Sequence, residues 1–179
     1  MTTLDLLDKD AIPAESQPLL DQMQKSIGMV PNFHTILSVS PQALKGYMTL
    51  HQLVTESAFT AEEMTVAWQT INHEHDCHYC FPAHIVVAVG MGVDKSICDD
   101  IKNETALPTA KLEALRTFIL QVVRNRGNVD PAGVETFKQA GYTDRSIAEV
   151  LLVLAQKTMS NYLNHIANTP LDDAFAPFA

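Results

Sequence analysis

Apolar positions along this chain recur at helical spacing. Leu112, Leu115, Ile119 and Val122 fall three or four residues apart, the rhythm of one face of an α-helix. Ile147, Val150, Leu151, Leu154, Met159, Tyr162 and Leu163 keep a similar rhythm and are the expected buried side of a long final helix over 143–166. No run alternates strictly between apolar and polar, as a half-buried strand does. The punctuation agrees. Gly28 stops a first helix over 15–27, and Ser40-Pro41, an N-cap with proline at the first helical position, opens one to about residue 56. Thr60-Ala61-Glu62-Glu63 is a capping box, hydroxyl at the N-cap and Glu at the third helical position, and its helix runs to 72 or 74. A helix over 80–89 ends at Gly90-Met91-Gly92, and Asp94 caps a short one to about 101. Pro108 opens the amphipathic helix that Gly127 closes, and Asp130-Pro131 starts a short one ended by Gly141. Residues 29–33 read as an apolar link packed across the body, and 176–179 as an apolar tail docked on a neighbouring chain. The predicted fold is a single all-α domain over 1–179 with about seven to eight helices.

Composition narrows the function classes. A chain of 179 residues, 46% hydrophobic and 18% charged, can bury a core without staples and is too apolar to be disordered. Its net charge of -9 excludes partners that attract basic patches, namely nucleic acid and anionic membrane surfaces. No apolar stretch approaches the ~20 residues that span a bilayer. The N-terminal stretch, Met1 to Asp10, is acidic and lacks the basic and apolar regions of a signal peptide, which sets a cytoplasmic location as the expectation. In a reducing compartment, two close cysteines serve redox or metal chemistry more often than a permanent staple.

Such a pair exists. Cys77-His78-Tyr79-Cys80-Phe81-Pro82-Ala83-His84 is a C-x-x-C-x-x-x-H pattern. At ~100° per residue, Cys77 and His84 lie almost in line on a helix, with Cys80 roughly one sixth of a turn away. A helix starting near Cys77 would put both sulfurs in its first turn, where unpaired N–H groups favour a thiolate. His84, one turn on, could carry the proton, and the second cysteine could close a disulfide that protects the first from over-oxidation. Two other readings stay open. Cys77, Cys80 and His84 with His73 or His75 would supply a tetrahedral zinc set, and the cysteines could simply be small buried apolar residues. Cys98 has no Cys or His nearby in sequence and reads as a bystander, His34 and His51 as ordinary packed or surface histidines, and His165 as a residue that could approach a pocket. Trp68, Tyr79 and Phe81 flank the motif as an apolar wall or as core.

The stretch from Asn72 to His84 resembles the core of the alkylhydroperoxidase D-like (AhpD-like) group within the carboxymuconolactone decarboxylase superfamily. Gly28-Met29-Val30-Pro31-Asn32, Thr158-Met159-Ser160-Asn161-Tyr162 and Thr169-Pro170-Leu171-Asp172 are similar to its peroxidase-related branch. The resemblance implies an all-α helical bundle that assembles into dimers, trimers or hexamers. It implies thiol-dependent reduction of a hydroperoxide substrate without a cofactor, with a lipoyl or thioredoxin-like dithiol as reductant. Cys80 would be the peroxidatic cysteine, Cys77 the more exposed resolving cysteine, and His84 the proton carrier. The pattern's relay Glu falls at Thr65 here and its inter-cysteine His at Tyr79. Glu74, one turn before Cys77, and Glu63, near the expected position, are the candidate substitutes, and His78 adjoins Tyr79. The superfamily also contains cofactor-free lactone decarboxylases, in which the paired cysteines would be idle.

Overall fold

In a computed structural model of the chain, residues 11–179 are described; the acidic stretch 1–10 lies outside them. Among the described residues the elements are α1 (Gln17–Ile27), α2 (Asn32–Leu37), α3 (Pro41–Thr55), α4 (Ala61–Glu74), α5 (Cys80–Gly90), α6 (Ser96–Lys102), α7 (Ala110–Arg124), α8 (Pro131–Gln139) and α9 (Asp144–Ala167). A 3-10 turn over Ala176–Phe178 follows, and no strand occurs. No helix among them is long and apolar enough to cross a membrane.

The helix starts expected from sequence form for the expected reasons. Ser40 Oγ accepts from Ala43 N, Thr109 Oγ1 from Leu112 N, and Asp130 Oδ1 from Ala132 N, each pairing an N–H that a helix start leaves orphaned. The capping box of α4 is reciprocal, with Thr60 Oγ1 accepting from Glu63 N and Glu63 Oε2 from Thr60 N.

α4 is the axis. Residues 63 through 72 are all buried, because α5, α6, α7 and α9 pack around it. The larger apolar cluster joins Val66, Ala67, Trp68 and Ile71 of α4 to Leu115, Phe118, Ile119 and Val122 of α7, with Ile97 and Cys98 of α6 and Val150 and Val153 of α9. Cys98 is fully buried there. A second cluster joins Leu20, Phe33, Leu37, Leu44 and Tyr47 of α1 to α3 with Cys77, Tyr79, Cys80 and Phe175. The cysteine motif sits where this smaller cluster meets α4 and α9.

Three expectations are corrected. The 29–33 link runs into an unpredicted helix, α2. Its N-terminal N–H at Asn32 is held by both carboxylate oxygens of Asp172 at 3.2 Å, a cap supplied from 140 residues away. The tail docks on its own chain: the 3-10 turn packs against α5, and the Phe175 ring meets Tyr79 edge-on. The third correction concerns the rotation of α9. Val150 is buried, but Leu151 and Tyr162 are 50% and 52% exposed, and Ile147, Leu154, Met159 and Leu163 are only half-buried. The buried stripe in the C-terminal half is polar instead: Gln156, Lys157, Ser160, Asn161 and Asn164.

Candidate functional site

The turn that presents the cysteines is built by the end of α4. Cys77 N donates to Asn72 O and Asp76 N to His73 O, both at 2.9 Å, the paired bonds of a Schellman closure. Asp76 takes the left-handed conformation, φ 50°, that this closure requires; a short polar side chain tolerates it better than most. The chain then reverses, and α5 begins at Cys80. Cys77 therefore lies just outside the helix rather than within its first turn. Its sulfur caps the start by accepting from Cys80 N at 3.3 Å. Both thiols are free.

Polar side chains from α4 and α9 then lock the start of α5. Gln69 donates to Phe81 O at 3.0 Å, and Asn72 to Cys80 O at 3.3 Å and to Gln69 Oε1 at 2.9 Å. Asn161 donates to Asn72 Oδ1 at 2.9 Å and faces His75 Nδ1 at 3.0 Å. Asn164 donates to the Cys80 sulfur at 3.1 Å. Lys157, 0% exposed, places Nζ 2.9 Å from His84 Nε2. Trp68 packs beside His84, stacks on His51, and donates to Gln156 Oε1 at 2.8 Å. Gln156 Nε2 lies 3.0 Å from His51 Nδ1.

The electrostatics separate the two sulfurs. Burial pushes the Cys80 thiol up, but the hydrogen bond with Cys77, the Lys157 charge and the amides of Asn164 and Asn161 outweigh it, so Cys80 falls below the ordinary thiol range. The same hydrogen bond holds the proton on Cys77, whose thiol is raised by it, by burial and by the neighbouring thiolate. The pair thus holds one proton, and it belongs to Cys77. Cys80 should accordingly be alkylated by iodoacetamide with a pH midpoint well below ~8.5, where an unperturbed thiol titrates, and Cys77 only far above it. Peptide mass spectrometry across pH reads both midpoints; equal midpoints would contradict the assignment.

The five residues proposed from sequence do not all converge. Cys77, Cys80 and His84 share this neighbourhood. His84, however, turns Nε2 to the Lys157 amine, and burial followed by that amine's charge drives its pKa well below the usual histidine value. It is a neutral acceptor. Cys77 is not the more exposed cysteine: the two are 2% and 3% exposed. Glu63 is committed to the α4 cap and to Lys111 at 2.8 Å. Glu74 makes a two-pronged pair with Arg124 of α7, 2.8 Å on each side. Both carboxylates thus have structural partners away from the sulfurs. Thr65, at the expected relay position, is buried with an unpaired hydroxyl. Tyr79 donates to Asp172 at 2.5 Å and accepts from Phe33 N, tying the cysteine turn to the α2 cap, while His78 Nε2 meets Thr169 O at 3.0 Å. His165 is exposed. Among the described residues no group of three or more His, Cys, Asp or Glu is arranged to hold a metal ion.

Sequence reasoning missed Lys157, Asn164, Gln156, Gln69 and Asn72. A signal was present, since Lys157, Ser160, Asn161 and Asn164 repeat at i, i+3, i+4 and i+7. An amphipathic rule assigns such a stripe to water; here it faces the cysteines.

No family model matches the chain, and no curated protein matches it either. Solved structures do. A peroxidase-related protein from Silicibacter sp. TM1040 superposes with a TM-score of 0.84 at 21% identity, over 97% of this chain and 93% of that one. An AhpD-core peroxidase-related protein from Ralstonia eutropha JMP134 gives 0.85 at 18%, over 97% and 94%. The debrominase Bmp8, in complex with 2,3,4-tribromopyrrole, gives 0.78 at 14%, over 99% and 96%. The chain has the all-α AhpD-like fold.

Proposed function

We propose that this protein is a thiol-dependent hydroperoxide reductase in which Cys80 is the nucleophile and Cys77 the resolving thiol. The observation that carries this reading is the asymmetry of the pair. One sulfur is held as a thiolate by an amide and a buried ammonium, and the other keeps its proton three residues away. A thiolate, not a thiol, attacks peroxide oxygen. The Cys80 sulfur takes the terminal oxygen as the O–O bond breaks, leaving a sulfenic acid and an alcohol. Cys77 then displaces that hydroxyl as water and closes a disulfide, and an external dithiol, of the lipoyl or thioredoxin type, reopens it.

The surroundings suit a small hydroperoxide. Asn164 Oδ1, the other end of the amide on the sulfur, has no hydrogen-bond partner among the described residues, nor has His84 Nδ1. A bound hydroperoxide could donate its O–H to the first and accept from the second. Proton handling falls to His84 and its neighbours rather than to Glu63 or Glu74, which are already paired. A zinc set drawn from Cys77, Cys80 and His84 is the weaker alternative, because the His84 nitrogen nearest Lys157 already accepts its hydrogen bond. The outward apolar residues of α9, Leu151 and Tyr162, support the self-association that the sequence resemblance implies.

Treating reduced protein with one equivalent of alkyl hydroperoxide should convert the Cys77–Cys80 peptide to an internal disulfide, seen by mass spectrometry as loss of two hydrogens and restored by a dithiol. A peptide that stays reduced while Cys98 or methionine oxidises would overturn the proposal.

A further inference from the structure

Lys157 is the anomaly in this site. A lysine is almost never fully buried unless paired, and this one is 0% exposed. Among the described residues no carboxylate forms an ion pair with it, and its hydrogen-bond partner is the neutral ring of His84. The titratable groups that face it are His84 from α5, His51 from α3, and the two thiols of the turn before α5. Both histidines have their charged forms suppressed, by burial first and by the lysine's charge next. That leaves one anion to balance a buried ammonium, and it is sulfur.

We infer that Lys157 is the counter-ion of the Cys80 thiolate and gives up its proton when that thiolate is oxidised, so that the buried pair is charged in the reduced protein and neutral in the oxidised one. The inference rests on the redox reading of Cys77 and Cys80. Burial lowers the lysine's proton affinity and the thiolates raise it. Removing the thiolate removes the opposing effect and leaves an unpaired buried charge, which neutralises by losing a proton.

The step balances. Cys80–S⁻, ROOH and Lys157–NH3⁺ give Cys80–SOH, ROH and Lys157–NH2. An S–O bond forms, the O–O bond breaks, sulfur is oxidised, and the departing alkoxide takes the lysine's proton. The neutral amine is then the base that Cys77 needs, because that thiol holds its proton tightly. Lys157 accepts the Cys77 proton as the S–S bond forms and returns it to the departing hydroxide, which leaves as water. Dithiol reduction supplies two protons, one to Cys77 and one to Lys157. An amine still donates an N–H, so the contact with His84 persists in both states.

The test uses diamide, which oxidises dithiols without peroxide, on full-length protein in weakly buffered solution at pH 7 with an indicator dye. Diamide takes up two hydrogens per disulfide. One comes from Cys77 and the other from Lys157, so no proton is drawn from solvent. If Lys157 stays charged, one proton per disulfide is taken from solution, and the inference is overturned. Lys157→Met, of similar length and uncharged, supplies the second arm. Iodoacetamide labelling of Cys80 at pH 6 should slow by about 100-fold or more as the thiol returns toward ~8.5. Unchanged labelling would overturn the counter-ion role. Diamide that fails to link Cys77 to Cys80 would instead sink the redox reading itself, and the labelling arm would still decide the counter-ion.

Discussion

Cys80→Ser is expected to reduce dithiol-dependent hydroperoxide turnover on the order of 10³-fold or more, because a serine hydroxyl in this site has no base to ionise it and forms no sulfenic acid. The variant should fold: serine is close in size, and its hydroxyl inherits the Asn164 amide that now donates to sulfur at 3.1 Å. Cys77→Ser should also lose turnover, but differently. One equivalent of hydroperoxide should still be consumed, and a sulfenic acid should accumulate on Cys80 where dimedone traps it, because nothing resolves it. A Cys80→Ser protein that turns over at the wild-type rate would end the proposal. A Cys77→Ser protein that does so would remove only the resolving step.

The largest expected loss of stability is at Trp68. Its ring is 1% exposed at the centre of α4, stacked on His51 with centroids 5.8 Å apart and tilted against His84 at 4.8 Å. Truncation to alanine combines lost burial with a cavity and should cost about 3–5 kcal/mol. It also leaves Gln156 Oε1, now 2.8 Å from the indole nitrogen, without its donor. For a chain of this length each kcal/mol moves the melting temperature by about 2–4 °C, so a fall of about 10 °C is expected. Trp68→Phe should recover the packing part and retain the hydrogen-bond part, roughly 1–2 kcal/mol. Urea melts of the three proteins check both halves; an alanine variant within 1 kcal/mol of wild type would show that α4 is not the axis of the core.

Much of this architecture is legible in local chemistry. Ser40, Thr60 and Asp130 cap where their residue types say they should, Gly28 ends α1 at a positive φ of 81°, and Leu112, Leu115, Ile119 and Val122 are all buried. What escapes is what distance in sequence hides. The cap of α2 comes from Asp172, which only folding brings to Asn32. Glu63 and Glu74 stand near the cysteines in sequence, yet long-range cations, Lys111 and Arg124, hold them elsewhere. Lys157 lies 77 positions beyond Cys80 in the chain, and a lone lysine on an amphipathic helix gives no sign that it is buried. The motif locates the nucleophile; the groups that set its charge come from α9.

The rotation of α9 also bears on how the chain reaches its native state. Hydrophobic collapse rewards turning Leu151, Tyr162 and Ile166 inward, whereas the native arrangement leaves them 50%, 52% and 61% exposed and encloses amides and an ammonium instead. Local preference and global fold disagree along this helix, a form of frustration, and such disagreements concentrate where function is built. A half-turn misdocking of α9 is therefore the natural kinetic trap for this protein. Escape from it depends on Gln69, Asn72 and the opening turn of α5 already standing in place as a polar template.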